Sequence, residues 1–208
     1  MPRPLQTLLQ PRKSPVQARS TASVNAILEA TIQVLLDVGK EQLTTTRVAH
    51  RAGVSVGTLY QYFPNKSALL QAALRNHLES VAEALEQVCQ EERGNPLPQM
   101  VTRIVNTFLE AKIKDLKTSL ALYSVSSDVD GLRIAKEAGA RVNKAILSML
   151  ATAPQPLGKD PQLVASMIQG AMGGVSRRLL ESPSPEKQYQ PLSEELVLMI
   201  RAYLAACS

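Results

Sequence analysis

Aromatic residues are scarce in this 208-residue chain: they make up 3% of it, with no tryptophan, five tyrosines and two phenylalanines. Cysteine is equally sparse. Cys89 and Cys207 lie far apart with no metal-ligand spacing, which fits a reduced, cytoplasmic setting, and nothing nearby is placed to activate either thiol as a redox sensor. The only histidines, His50 and His77, have no Ser, Cys or carboxylate arrangement that suggests a triad or a metal site, and no glycine-rich phosphate loop occurs. No enzyme, cofactor or metal centre is therefore expected. Eighteen uninterrupted apolar residues never occur, so no membrane span is expected either. The first twenty residues carry Arg3, Arg12, Lys13 and Arg19 and no acid, but they lack an apolar signal core; residues 1–18 read as a flexible basic arm.

What the chain has is a real supply of core, 45% apolar residues, and an uneven charge. The net charge is +5, yet residues 1–75 hold nine Lys or Arg against three acids, while residues 76–208 hold fourteen against fifteen. The positive surplus belongs to the N-terminal third. Such a concentration is the electrostatic footprint expected for a polyanion partner.

Helical spacing dominates and no strand signal is present, so the expected fold is all-α with about nine helices. Val24, Ile27, Leu28, Ile32, Leu35 and Leu36 recur on one face between Ser20 and Val38, and Gly39 is placed to end that helix in a left-handed cap. The Thr44-Thr45-Thr46 run offers N-caps to a short helix that buries Val48, Ala49 and Ala52 and stops at Gly53. Ser55 can cap a second short helix, which reaches Phe63 and is broken by Pro64-Asn65. Helix, short helix, glycine turn, short helix is helix-turn-helix grammar. A long helix follows from Lys66 to Glu92, and further helices are expected at 98–115, 116–127, 131–152, 160–182 and 193–206, separated by Pro-rich stretches at 153–161 and 182–191. The expected division is a helix-turn-helix head at 19–65 and a helical body at 66–208.

Three of the seven aromatics fall in the stretch Gly53-Val-Ser-Val-Gly-Thr-Leu-Tyr-Gln-Tyr-Phe63. At roughly 100° per residue, Leu59 and Phe63 share one face, Gly57, Thr58 and Gln61 point the opposite way, and Tyr60 and Tyr62 take the flanks. An apolar back, a small polar front and two tyrosine edges describe a helix that presses its front against something.

The C-terminal helices pose a different question. Residues 196–206 are apolar almost all the way round, and the helix before them carries Gly170, Gly173 and Gly174 in its middle, each costing about 1 kcal/mol against alanine. Close helix approach in a dimer, room for a ligand, or tight packing within one subunit would each offset that cost.

Residues 44–70 resemble the DNA-binding region of the tetracycline-repressor (TetR) family. The family pattern A-x-x-A-G-V-S-x-G-T-x-Y-x-Y-F-x-x-K-x-x-L-L is met at Ala49, Ala52, Gly53, Val54, Ser55, Gly57, Thr58, Tyr60, Tyr62, Phe63, Lys66, Leu69 and Leu70. The physics of the residues agrees with the resemblance. Thr44, Thr46, Tyr60, Tyr62 and Lys66 suit phosphate oxygens, and a helix start capped by Ser55 adds partial positive charge. Gln61 can pair with adenine, Thr58 can meet a thymine methyl or a phosphate, Val56 can pack on a methyl, and Arg47 can reach a guanine or a phosphate. Gly57 lets the helix approach the DNA closely.

The resemblance implies a homodimer whose last two helices form a four-helix interface, here Gly170, Gly174, Leu196, Ile200, Tyr203 and Leu204, and which places two heads on a palindromic operator. It further implies a repressor released when a small molecule shifts the long fourth helix. An apolar or amphipathic effector is expected, lined by Ile104, Phe108, Tyr123, Met149, Met167, Gln169 and Met172. The rival expectation keeps the head without the effector: a ligand-independent DNA-binding factor, or an activator working through a protein partner. A helical adaptor using its basic face on an acidic protein would bind DNA weakly and without sequence preference.

Overall fold

A computed structural model describes residues 18–207. The expected basic arm, apart from Ala18, lies outside the described residues. Those residues form nine α-helices and no strand: α1 (Ala18–Gln42), α2 (Thr45–Arg51), α3 (Val56–Tyr62), α4 (Lys66–Glu91), α5 (Leu97–Ile113), α6 (Leu116–Val125), α7 (Gly131–Leu150), α8 (Pro161–Leu180) and α9 (Pro185–Ala205), with a 3-10 turn at Ser126–Asp128 after α6.

Two boundaries differ from expectation for local reasons. Gly39 breaks α1 with the positive φ its position suggests, 73°, but its ψ of 173° is not that of a left-handed helical cap, and one more turn follows to Gln42. The stretch at 182–191 was expected as a separator, yet α9 begins within it at Pro185 and runs through Pro191. Proline at a helix start gives up an N–H that has no partner there anyway. Pro191 is exposed, and so is Lys187, whose carbonyl loses its helical bond to the missing N–H.

The chain packs as two compact units that do not follow the expected division at residue 66. The first comprises the described chain up to His77 together with Lys117–Ile134; the second comprises Leu78–Leu116 and the chain from Ala135 on. In the first, Ile27, Leu28, Val34, Leu35, Leu43, Val48, Leu59, Phe63 and Leu69 are buried, as are Val125, Val129 and Ile134 from the later segment. The buried Thr31 hydroxyl is satisfied by donating to the Ile27 carbonyl at 2.7 Å. Thr21–Gln42 is, among the described residues, the one stretch long and apolar enough to cross a membrane by length and composition; its Ile27, Val34 and Leu35 are core side chains of this unit.

The second unit is a helical body in which α5 lies against α8 and α9, and α8 against α9. Its core takes Met100, Ile104, Val105 and Leu109 from α5, Ile146 and Met149 from α7, Ile168 and Met172 from α8, and Leu196, Ile200 and Leu204 from α9. Arg141 spans from α7 to Glu86 on α4 with two hydrogen bonds, at 3.1 and 2.7 Å.

Candidate nucleic-acid interface

The reading helix α3 is built by its caps. Ser55 Oγ accepts from the Thr58 N–H at 2.9 Å and pairs with the Thr58 hydroxyl at 2.8 Å, while the Phe63 N–H closes the far end on the Leu59 carbonyl. Thr44 Oγ1 does the same for α2, accepting from Arg47 N–H at 3.2 Å. Between the two helices Gly53 has φ 67°, a conformation that a side chain would strain, so the turn needs glycine there. The outcome is the sidedness expected from the sequence. Leu59 and Phe63 are fully buried, whereas Ser55, Val56, Gly57, Tyr60 and Gln61 are exposed and Thr58 is half-buried.

The tyrosines differ from each other. Tyr60 is exposed and its hydroxyl meets Thr45 Oγ1 at 3.0 Å, tying α3 to the start of α2. Tyr62 is half-buried, tilted at 48° to the Phe63 ring with centroids 6.5 Å apart. Thr44, Thr46 and Arg47 are exposed at the entrance of α2. Beside them a surface groove of about 450 Å³ runs between α1 and α2, lined by Val34, Asp37, Val38, Thr46, Arg47, His50 and Arg51. Arg51 bonds Asp37 and also Gln33, at 3.3 Å, across this groove. Lys66, at the start of α4, donates to the carbonyl of Lys40. Its amine therefore has a partner within the protein as well as its expected place beside a phosphate. Thr45 and the pair Arg51–Asp37 were missed by sequence reading. Both join residues fourteen or fifteen positions apart, and only the fold shows such a pairing.

The expected effector residues divide between the core of the body and other positions. Ile104, Met149 and Met172 are core side chains, Phe108 packs half-buried against them, and Met167 is 52% exposed on the outer side of α8. Gln169 spends its amide on the Gly139 carbonyl at 2.6 Å. Tyr123 belongs to the other compact unit. One residue not anticipated is Lys112: it is 8% exposed, its amine lies 5.8 Å from the Phe108 ring centroid, and burial lowers its pKa to about 8. The signal was there to find, since Lys112 continues the stripe of Ile104, Phe108 and Leu109 by helical spacing.

The expected dimer residues divide as well. Gly170 and Gly174 are exposed, but Leu196, Ile200 and Leu204 fill the subunit's own core, and Tyr203 is half-buried beneath the Lys159 amine, 5.6 Å from its ring centroid. Helical geometry turns those three leucine and isoleucine side chains inward. The apolar residues facing outward are instead Leu163 (53% exposed) and Met167 on α8 and Leu198 (61%) and Met199 (51%) on α9. No protein atom lies within 4 Å of a side-chain carbon built at Gly170, Gly173 or Gly174, leaving out the glycine's chain neighbours and the helix's own nearby backbone, so tight packing within one subunit does not account for them.

Residues 27–73 match the sequence profile described as bacterial regulatory proteins, tetR family. Residues 96–204, more than half of the chain, match that of the tetracyclin repressor-like C-terminal domain. The chain belongs to the TetR family. Members of this family are DNA-binding regulators of transcription rather than enzymes. Among curated relatives, HTH-type transcriptional regulator BetI 1 of Chromohalobacter salexigens is 32% identical over 102 residues, which is 48% of this chain and 50% of that protein. BetI of Serratia proteamaculans is 29% identical over 103 residues, 48% and 52% of the two chains. The chain thus spans about half the length of the curated relatives it matches.

Solved structures extend the likeness of fold over most of the chain. A TetR-family transcriptional regulator from Mesorhizobium loti superimposes with a TM-score of 0.74 at 16% identity, covering 91% of this chain and 98% of that one. The fatty acid degradation regulator FadR of Bacillus halodurans does so with a TM-score of 0.62 at 18% identity, covering 84% and 94%.

Proposed function

We propose that this TetR-family member is a cytoplasmic repressor that binds a palindromic operator as a homodimer and leaves it when a small apolar or amphipathic ligand occupies the helical body. The observation that carries the DNA-binding part is α3 itself. Its rooted face holds Leu59 and Phe63, and its exposed face offers Val56, Gly57, Tyr60 and Gln61 with the Ser55 helix start. A surface so small reads few bases, so DNA shape and half-site spacing supply much of the specificity. The two-fold contact is assigned to the outward face of α8 and α9, where Leu163, Met167, Leu198 and Met199 lie exposed and the glycines allow close approach. The ligand acts by binding better to a state in which α4 holds the heads out of register.

The second reading, regulation without a small ligand, draws on the packing of Ile104, Met149 and Met172 as core. A ligand entering there must displace them, which methionine's flexibility makes easier than for branched side chains.

The test is fluorescence anisotropy on a duplex from just upstream of the protein's own gene, with excess unrelated competitor and at two salt concentrations. Saturation that survives competitor at two protomers per site is expected. Binding erased by competitor, and equally salt-sensitive on every duplex, would reduce the head to a generic basic surface.

A further inference from the structure

α6 and the turn that follows it are held to α1 and α4 by three polar contacts. Asp128 Oδ2 pairs with Lys40 Nζ at 2.7 Å, the Gln71 amide donates to the Val129 carbonyl at 3.0 Å, and Ser119 Oγ lies 3.3 Å from His77 Nε2. Gln71 is 6% exposed and Val129 is 2% exposed, so their bond is shielded from water, where a missing partner costs most. The turn that carries Asp128 and Val129 is sterically defined. A side-chain carbon at Gly131 would fall 2.6 Å from the Ser126 carbonyl oxygen, Asp130 has φ 58°, and Arg133 Nε donates to Asp130 at 2.6 Å.

Lys40 makes this arrangement more than a local anchor. It is the first residue after the break at Gly39; its side chain reaches Asp128, and its carbonyl accepts the amine of Lys66, the first residue of α4. The end of α1 and the start of α4 are thus joined through one residue, and α2 and α3 lie between them in the chain.

We propose that the 126–131 turn is a brace for the DNA-reading head, with Asp128 and Gln71 as positioning residues that fix where α1 ends and α4 begins and thereby how α3 is presented. The inference rests on the proposed DNA reading for its functional readout and on packing alone for its structural one. Charge makes the two effects separable. Turning Asp128 into a cation adds positive charge to the head and by itself tightens binding to any DNA. Loss of the brace weakens binding to the specific site.

The experiment compares wild type, Asp128→Lys, Lys40→Asp and the charge-swapped double variant. Anisotropy is read on a duplex selected from a random pool by the wild-type protein and on an unrelated duplex. Amide hydrogen exchange is read without DNA. Asp128→Lys is expected to lose about three- to fivefold on the selected duplex without loss on the unrelated one, and to speed exchange at 39–43 and 66–70 but not in α8 or α9. The double variant, with the pair restored in reverse, is expected to return both readouts to wild type. Should Asp128→Lys not fold, Asp128→Asn gives the same directions with smaller amplitude. Unchanged exchange at 39–43 and 66–70, or a ratio of selected-duplex to unrelated-duplex affinity equal to or above that of wild type, would overturn the brace. If no duplex can be selected while exchange responds and is rescued as described, the brace stands and the DNA reading falls.

Discussion

Replacing Gly170 and Gly174 with alanine sets two opposing effects against each other. Within one subunit the added methyl groups meet no packed neighbour within 4 Å. Each substitution therefore gains about 0.8–1 kcal/mol of helix propensity, or about 2 kcal/mol for the pair. For a chain of this size that raises the Tm of the isolated subunit by about 4–8 °C. If α8 faces its two-fold mate at close range, the same methyl groups are intruders, and each overpacked contact costs about 1–3 kcal/mol. Two substitutions on each of two subunits then weaken the dimer by several kcal/mol, and at about 1.4 kcal/mol per tenfold the dissociation constant rises at least a hundredfold. Sedimentation equilibrium over a range of concentrations reads the dimer, and thermal melts at a concentration where the variant is monomeric read the subunit. The combination expected is a weaker dimer made from a more stable subunit. A double variant that melts higher and still dimerises as tightly as wild type would refute the placement of these glycines at the two-fold contact.

Other perturbations probe separate parts of the molecule. Tyr62→Ala should weaken binding to specific and unrelated DNA alike, as loss of a phosphate contact does, whereas Gln61→Ala should change preference among sequences; competition binding distinguishes them. Burial holds the Lys112 pKa at about 8, below its ordinary 10.5, so the unfolded chain takes up this proton more readily across that interval. Stability from this group therefore rises with pH from about 8 to about 10.5, and denaturant titrations of Lys112→Met should lack that rise when subtracted from wild type. Burial pushes the Cys89 thiol up to about 12, so native protein should react with thiol reagents at pH 8 far more slowly than unfolded protein. Gly131→Ala forces a carbon against the Ser126 carbonyl and should destabilise the fold by about 1–3 kcal/mol in urea.

The head was legible because its signals are local. Thr44 and Ser55 cap the helices they precede, Gly53 turns between them, and the faces of α3 follow from a period of 3.6 residues. The body was legible in helix number and poorly legible in sidedness. Residues 196–206 are apolar almost all round, so periodicity does not say that Leu196, Ile200 and Leu204 turn inward and Leu198 and Met199 outward. Proline misled at 182–191 because its usual meaning as a breaker yields when it sits at a helix start or on an exposed face. The assignment of residues 117–134 to the head depends on contacts such as Gln71 with Val129, fifty-eight positions apart, for which local sequence carries no sign.

The chain passes from one compact unit to the other at 77–78, 116–117 and 134–135, and all three crossings fall inside helices, α4, α6 and α7. A head cut out as one contiguous piece ending at residue 65 would forfeit Leu69, Leu70, Val125, Val129 and Ile134 from its interior. Exchanging operator specificity between relatives by splicing at the end of the helix-turn-helix would accordingly import a reading surface without its foundation. A chimera that carries the later segment along with the head is the graft this architecture permits.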